Sequence, residues 1–146
     1  MTDAKNFQRD IETDTLARTI WGEARGEGEP GMRAVAAVVM NRLKISREKG
    51  RYWWGNSIIQ ICQKPFQFSC WNKNDVNYRR ILGVDVSDPV FAQAQNIARL
   101  TIEGHLPDPT DGATHYHAAG ATPHWAETEK PVASIGHHIF YKMTDI

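Results

Sequence analysis

The sequence predicts an α+β fold that is mostly helical, with a small β element near the C-terminus. Three long segments between residues 14 and 104 have the apolar spacing of helices. After residue 112 the pattern changes to two short stretches, 113–117 and 132–141, that are typical of strands. With 146 residues, 41% of them hydrophobic, and five tryptophans, the chain is expected to form one packed domain, 1–146.

The first helix is expected to begin at a cap formed by Thr13 or Asp14. Residues 1–12 are polar and are expected to be loosely held. Gly26 and Gly28 end the helix. The apolar residues that form its buried face are Leu16, Ala17, Ile20, Trp21 and Ala24.

Pro30 suits the first turn of a second helix. Residues 32–43 follow it and are apolar on nearly every side, which predicts a central, buried helix. Residues 46–56 are polar and aromatic and are expected to form a loop or a short helix. Residues 57–62 then predict a short helix that ends before Pro65.

A third long helix is expected to start at Asp88 and Pro89 and to end at Gly104, because aspartate followed by proline is a strong start signal. Residues 106–112 contain two prolines and several turn-forming residues, so they are expected to be a loop. The strand-like segments come after this loop, which completes the predicted order of helices and then strands.

Charge and composition exclude several classes of protein. The 17 basic and 17 acidic residues balance, so we expect no nucleic-acid partner and no anionic membrane surface. No apolar run approaches the ~20 residues that span a bilayer, so stable membrane insertion is not expected. The N-terminal segment does not resemble a secretory signal. Cys62 and Cys70 are expected to be buried thiols.

A glutamate lies at the point where glycine ends the first helix. Burial favours the protonated form of a carboxyl group, which the cleavage of a glycosidic bond requires of its general acid. Glu23 is therefore a candidate general acid. Glu27 would lie on the same face if the helix continued and would support this role. Spacing alone also fits a solvated glutamate beside a helix cap.

Two alternatives come from the histidines and tryptophans. His115 and His117 alternate on the expected strand and would share one face, as ligands of zinc often do. A third histidine would complete a zinc-dependent amidase or peptidase, although the chain has no HExxH motif, and we expect no metal and no other cofactor. The second alternative is a non-catalytic glycan-binding module using Trp53, Trp54 and Trp125.

Five motifs in order resemble the SleB-type cell wall hydrolases, which include spore cortex-lytic enzymes and phage peptidoglycan hydrolases. The resemblance covers about residues 15–141. Its motifs are Gly22-Glu23-Ala24-Arg25-Gly26-Glu27, Ala34-Val35-Ala36-Ala37-Val38-Val39-Met40-Asn41-Arg42, Gln67-Phe68-Ser69, Gly112-Ala113-Thr114-His115-Tyr116, and Ile135-Gly136 with His138 and Phe140.

The resemblance implies a lysozyme-like, lytic-transglycosylase-like domain that cleaves between N-acetylmuramic acid and N-acetylglucosamine in peptidoglycan glycan strands. It implies that Glu23 is the general acid and base. In a lytic transglycosylase the muramoyl C6 hydroxyl would attack intramolecularly and leave a 1,6-anhydro end; the sequence does not choose between this product and that of a hydrolytic muramidase or glucosaminidase. Residues implied to bind substrate or to support the site are Glu27, Gln67, Phe68, Ser69, His115, Tyr116 and Trp125.

This chain departs from the family pattern at His117 and in the 118–121 loop, which leaves the shape of the cleft open. A catalytic domain without an export signal resembles a phage endolysin, and a bacterial effector would look the same. We therefore expect a monomer that is made in the host cytoplasm and acts on the cell wall after release.

Overall fold

The computed structural model of the protein describes residues 2–143. Its α-helices come first: α1 (Thr2–Ala24), α2 (Gly28–Glu48), α3 (Ile58–Gln63), α4 (Val76–Gly83) and α5 (Pro89–Ile102). Its strands follow: β1 (His115–Ala118), β2 (Ala133–Ile135) and β3 (His138–Tyr141). Short 3₁₀ turns occupy Arg25–Glu27, Ser69–Trp71 and His124–Ala126. The predicted class, mostly helical with a small C-terminal sheet, is confirmed.

Helix α2 lies at the centre of the core. Eleven of its residues are buried, including Met32, Val35 and Val38, which have no exposed surface. Both α1 and α5 pack against α2 and against each other. The predicted central helix is therefore confirmed, but it runs on to Glu48, so only residues 49–56 form the expected loop. Within residues 2–143, no helix has both the length and the apolar character needed to span a bilayer.

Helix α1 starts far earlier than predicted. All five apolar residues expected on its buried face are buried, but Thr13 and Asp14 lie inside the helix rather than at its cap. Asp14 accepts a hydrogen bond from Arg18 Nε at 2.9 Å, an i,i+4 ion pair that supports a continuing helix. Residues 3–10 are helical with exposed side chains; their looseness stays a prediction.

Two predicted helix starts are confirmed by their caps. Ser57 Oγ accepts a hydrogen bond from the Gln60 amide at 3.1 Å at the start of α3. Asp88 Oδ1 accepts from the amides of Val90 and Phe91 at 2.8 and 3.0 Å at the start of α5. Each side chain satisfies amides that have no partner within the helix, which is why these residues mark the starts.

Helix α4 has no counterpart in the sequence prediction. Asp75 caps it by accepting from the Asn77 amide at 2.8 Å, and Ile81 is its only buried residue. A helix of eight residues with so small a buried face has no apolar periodicity to detect. The Asp75 cap is the signal that could have revealed it.

The three strands form an antiparallel sheet in the order β1–β3–β2. His115 pairs with Tyr141, and Ile135 pairs with His138 across the β2–β3 turn. Gly136 occupies this turn with φ 59°, and the Glu27 carboxylate lies where the Cβ of any other residue would stand. The sheet is thereby held against the start of α2.

Candidate active site

A cleft of about 380 Å³ lies between the end of α1, the 66–69 segment and β1. Its lining includes Glu23 and six of the seven supporting residues that the family resemblance implied, all but Glu27. The full set is Glu23, Arg42, Trp53, Phe66, Gln67, Phe68, Ser69, His115, Tyr116 and Trp125. Residues far apart in the chain, such as Glu23 and Trp125, therefore share one surface.

Glu23 is fixed in this cleft by donors from two segments. Tyr116 donates its hydroxyl to Oε1 at 2.5 Å. The Cys70 amide donates to Oε2 at 3.1 Å, and Ser69 Oγ donates to the same oxygen at 3.4 Å. Glu23 also carries the only carboxyl group among the described residues that line the cleft. Both oxygens are oriented, which is what a positioned acid–base group requires.

Tyr116 acts as a hydrogen-bond donor to Glu23. Burial raises the pKa of Tyr116 well above its ordinary value, and the negative charge of Glu23 raises it further. The phenol consequently keeps its proton at any physiological pH. Phe140 and His138 flank the ring, at centroid distances of 5.6 and 4.9 Å, so packing holds the donor in place.

The segment that carries Ser69 approaches α1 very closely. A Cβ on Gly22 would lie 2.7 Å from Ile81 Cγ2 and 2.8 Å from Cys70 Cβ, so no larger residue fits without a shift. Trp71 Nε1 donates to Thr19 Oγ1 at 2.9 Å and ties the segment to the same helix. Gly22 therefore allows the Cys70 amide to reach Glu23.

Arg42 lies in the cleft, although no role at the site was predicted for it from the sequence. Its Nε donates to the Thr114 carbonyl at 2.8 Å and its Nη1 to Gln67 Oε1 at 3.2 Å. The guanidinium lies over the Phe68 ring, 5.3 Å from the centroid. Burial lowers the pKa of Arg42 to about 10, so it stays charged at neutral pH. A buried arginine that is hydrogen-bonded to both walls of the cleft sets their spacing. The only sequence signal for this role was the position of Arg42 at the end of one of the five motifs.

His115 is neutral in the cleft wall. Thr114 Oγ1 has one proton, which it donates to the Met143 carbonyl at 2.8 Å, so at 2.9 Å it accepts from His115 Nδ1. This network assigns the proton to Nδ1 and leaves Nε2 as an acceptor, without a protein partner among the described residues. Burial, helped by the charge of Arg42, lowers the pKa of His115 to about 4.

His117 and His115 lie on the same face of β1, as predicted. Both rings contact Trp125, with ring centroids 5.7 Å apart for His117 and 5.5 Å apart for His115. The two nitrogens of His117 already have partners, the Ala118 carbonyl at 2.7 Å and the Tyr141 hydroxyl at 2.9 Å. Within residues 2–143 no three histidine, cysteine or carboxylate side chains are grouped as metal ligands.

The three tryptophans assigned to glycan stacking separate into two groups. Trp53 is 40% exposed and Trp125 is half-buried, and both line the cleft. Trp54 is fully buried and donates Nε1 to Ser46 Oγ at 2.7 Å, so its assignment to sugar stacking was wrong. An indole in a loop segment can still fold inward when a helix offers its polar atom a partner.

Glu27 does not support Glu23 in the way that helical spacing suggested. The α-helix stops at Ala24, and Arg25–Glu27 form a 3₁₀ turn, so the two glutamates do not share a helix face. Glu27 Oε1 accepts from the His137 amide at 2.5 Å, and Oε2 lies 3.1 Å from His137 Nδ1. These bonds lower the pKa of Glu27 and keep it ionised. Its place is at the β2–β3 turn.

Both cysteines are buried and free, as expected. Burial raises the pKa of Cys62 to about 12. Burial also raises the pKa of Cys70, and the charge of Glu23 adds to that shift. Neither thiol forms a thiolate at neutral pH, so neither is a nucleophile. Cys70 contributes to the site through its backbone amide.

The fold and this cleft place the chain in a known class. Residues 26–141 match the cell wall hydrolase family, and the chain belongs to that family. It is 28% identical over 135 residues to a spore cortex-lytic enzyme of Halalkalibacterium halodurans, covering 90% of this chain and 34% of that one. For the spore cortex-lytic enzyme of Bacillus subtilis the identity is 29%, with 86% and 35% covered. The chain thus spans about a third of the length of these relatives.

Solved structures extend the likeness to three dimensions. The catalytic domain of the germination-specific lytic transglycosylase SleB from Bacillus anthracis superposes with a TM-score of 0.65 and 27% identity, covering 90% of this chain and 93% of that one. The catalytic domain of the Bacillus cereus SleB protein gives the same TM-score and identity, with 90% and 89% covered. The structural likeness therefore covers the catalytic domain of these proteins.

Proposed function

We propose that this protein is a peptidoglycan lytic transglycosylase that cleaves the β-1,4 bond between N-acetylmuramic acid and N-acetylglucosamine. The observation that carries the proposal is Glu23, the sole carboxyl group among the described residues of the cleft, oriented by Tyr116, Ser69 and the Cys70 amide. The likeness to the catalytic domain of a lytic transglycosylase supports the same reaction.

The reaction needs one protein group that first gives and then takes a proton. Protonated Glu23 donates its proton to the glycosidic oxygen as the bond to the muramoyl anomeric carbon breaks. The muramoyl C6 hydroxyl attacks that carbon, and the Glu23 carboxylate removes the hydroxyl proton. The products are a 1,6-anhydromuramoyl end and a free C4 hydroxyl on N-acetylglucosamine, and Glu23 is protonated again.

The lining of the cleft favours this route over a two-carboxylate hydrolase. Retaining and inverting glycosidases place a second carboxyl group about 5–9.5 Å from the acid, whereas the remaining described residues that line this cleft are neutral or cationic. The sugar's own hydroxyl replaces the nucleophile that the protein does not supply. A muramidase would differ only in the use of water at this step.

Mass spectrometry of digested peptidoglycan tests the proposal. We expect muropeptides with 1,6-anhydromuramic ends and no newly cleaved peptide or amide bonds. Reducing muramic ends would indicate a hydrolytic muramidase, and reducing glucosamine ends a glucosaminidase. Free peptides whose release stops with a chelator would indicate the zinc-dependent reaction. Cell-wall binding without soluble products would indicate a glycan-binding module.

We propose a phage endolysin as the biological setting, with synthesis in the host cytoplasm, action on the wall after release, and activity as a monomer. The support for action on the wall is that the chain belongs to the cell wall hydrolase family. The protein expressed in bacterial cytoplasm should be harmless until the membrane is permeabilised, and should then lyse the cells. Light scattering on the purified protein should give a mass near 16.5 kDa. Lysis before permeabilisation, or a dimer mass, would contradict this setting.

A further inference from the structure

One large apolar side chain at the edge of the cleft is almost completely exposed. Phe66 has 85% of its surface exposed, more than any other large hydrophobic side chain in the described part of the chain. Its ring gains little from the hydrophobic effect in the free protein. It nevertheless lines the same cleft as Glu23.

The backbone at Phe66 is also unusual. The Gln67 amide donates to the Lys64 carbonyl at 3.1 Å, which closes a four-residue turn with Pro65 second and Phe66 third. Phe66 has φ 66°, in the left-handed region. Proline at the second position and a positive φ at the third are features of a type II turn, where glycine or asparagine normally takes the third position. A bulky side chain with positive φ is strained.

Glycine at position 66 would remove both the strain and the exposed ring. Strained residues are concentrated at ligand-binding sites, where the surrounding structure holds them. Here the Phe66 amide donates to Asn72 Oδ1 at 3.3 Å, and the next residues are Gln67 and Phe68 of the cleft wall. The turn therefore presents the phenyl ring at a set position on the rim.

A second aromatic ring lines the same cleft. Trp53 is 40% exposed, and its ring packs against Trp54 at 5.7 Å and against Tyr52 at 6.4 Å. Trp54 is fully buried, so this side of the cleft is anchored to the core. Phe66 and Trp53 together form what we call the rim pair.

We propose that the rim pair is a sugar-binding subsite, in which Phe66 and Trp53 stack on the apolar faces of N-acetylated sugar rings of the glycan strand. This inference rests on the proposed function. Both sugars of the strand have equatorial substituents, so each ring has a face of C–H groups that an aromatic ring can cover. The hydrophobic gain that Phe66 lacks in the free protein would then be obtained on binding.

Binding without turnover tests the subsite. The full chain carrying Glu23→Gln is titrated with soluble peptidoglycan glycan strands from which an amidase has removed the peptides. Adding Phe66→Gly should raise Kd about tenfold, equivalent to about 1.4 kcal/mol. Adding Phe66→Trp should keep Kd within about twofold. The same loss is expected for Trp53→Ala, and Phe7→Ala, at an exposed ring of α1 outside the cleft, should leave Kd unchanged.

Thermal unfolding separates a binding role from a structural one. Because glycine relieves the positive φ, Phe66→Gly should unfold at the same temperature as its parent or a few degrees higher, while its affinity falls. A structural role predicts a lower Tm. Equal glycan affinity of the parent and Phe66→Gly, or loss of affinity only together with a lower Tm, would overturn the subsite alone. No glycan binding by the parent would overturn the proposed function and the subsite with it.

Discussion

Glu23 and Glu27 lie four residues apart in one short motif, yet the fold gives them different environments. Glu23 points into the cleft, where Tyr116 and the 69–70 segment donate to it. Glu27 points to the β2–β3 turn, where it accepts from the His137 amide. The helix break at Arg25–Glu27 separates them. The environments of two neighbouring acidic residues therefore depend on the residues that tertiary packing brings to them from distant parts of the chain.

Substitution of Glu23 is expected to reduce activity most. Glu23→Gln keeps the size of the side chain and removes the proton that the reaction needs. Release of muropeptides should fall by about 10²–10⁴-fold or more, with Tm changed by no more than a degree or two. Glu27→Gln is the matched control and should retain most of the activity. Similar losses in both variants would erase the distinction between the two glutamates.

Tyr116→Phe removes the phenol that orients Glu23 and leaves the ring packing intact. The loss of one hydrogen bond to a charged group should lower kcat about tenfold, corresponding to about 1.5 kcal/mol. KM should change little, because the phenyl ring still shapes the cleft wall. Steady-state kinetics on soluble glycan strands measure both constants. An unchanged kcat would show that Cys70 and Ser69 suffice to position the carboxyl group.

The close contact between the 69–70 segment and α1 depends on Gly22 and can be tested by substituting it. Gly22→Ala places a methyl group within 2.9 Å of Ile81 and Cys70, and overpacking of this kind costs about 1–3 kcal/mol. Denaturant unfolding should show that loss, and activity should fall because the Cys70 amide is displaced from Glu23. Gly26→Ala is the control, since a Cβ there has no neighbour within 4 Å. Equal stability of the two variants would contradict the close approach.

Glu27→Gln should have the smallest effect, a modest decrease in Tm that depends on pH. The His137 amide and ring lower the pKa of Glu27 below its ordinary value of 4.5. The ionised carboxylate therefore stabilises the folded protein fully above pH 4.5, and this stabilisation is lost as the pH falls through the lowered pKa. At pH 6–7 the Tm of the wild type should be about 4 °C higher than that of the variant, which corresponds to a difference of about 1 kcal/mol in the free energy of unfolding.

Melting curves of both proteins between pH 3 and 7 measure this difference. The gap in Tm should be constant above pH 5.5 and should shrink below pH 4.5. A gap in Tm that widens on acidification would mean that Glu27 is protonated in the folded state. The contrast between Glu23 in the cleft and an ionised Glu27 bound to His137 would then be wrong.

Local signals predicted the helical part of the fold well. Asp88 and Pro89 start α5, and Ser57 caps α3, because these residues act on amides within three positions. The apolar run of α2 identified the core helix. The same reasoning misplaced the start of α1, since Thr13 and Asp14 resemble a cap wherever they occur. It missed α4, whose single buried residue, Ile81, leaves no periodic pattern.

The candidate site was predicted less evenly. The ordered motifs nominated Glu23, Ser69 and Tyr116 together, and the fold brings them into hydrogen-bonding contact. Arg42 was missed as a site residue because an arginine on a helix is normally solvated, and only packing shows that its guanidinium is buried over the Phe68 ring. Phe66 was missed because its importance depends on a backbone angle.

The fold class, the central helix and a first helix that ends close to Gly26 could be predicted from the amino-acid sequence, because these depend on propensities and patterns within a few residues. Glu23 was nominated as the candidate acid by the resemblance of five ordered motifs to a known family. The tertiary structure alone decided that Trp54 is core while Trp53 is surface, that Glu27 serves the β2–β3 turn, and that Phe66 stands on the rim of the cleft. These outcomes depend on contacts between residues far apart in the chain, whose geometry exists only once the helices and the sheet have packed.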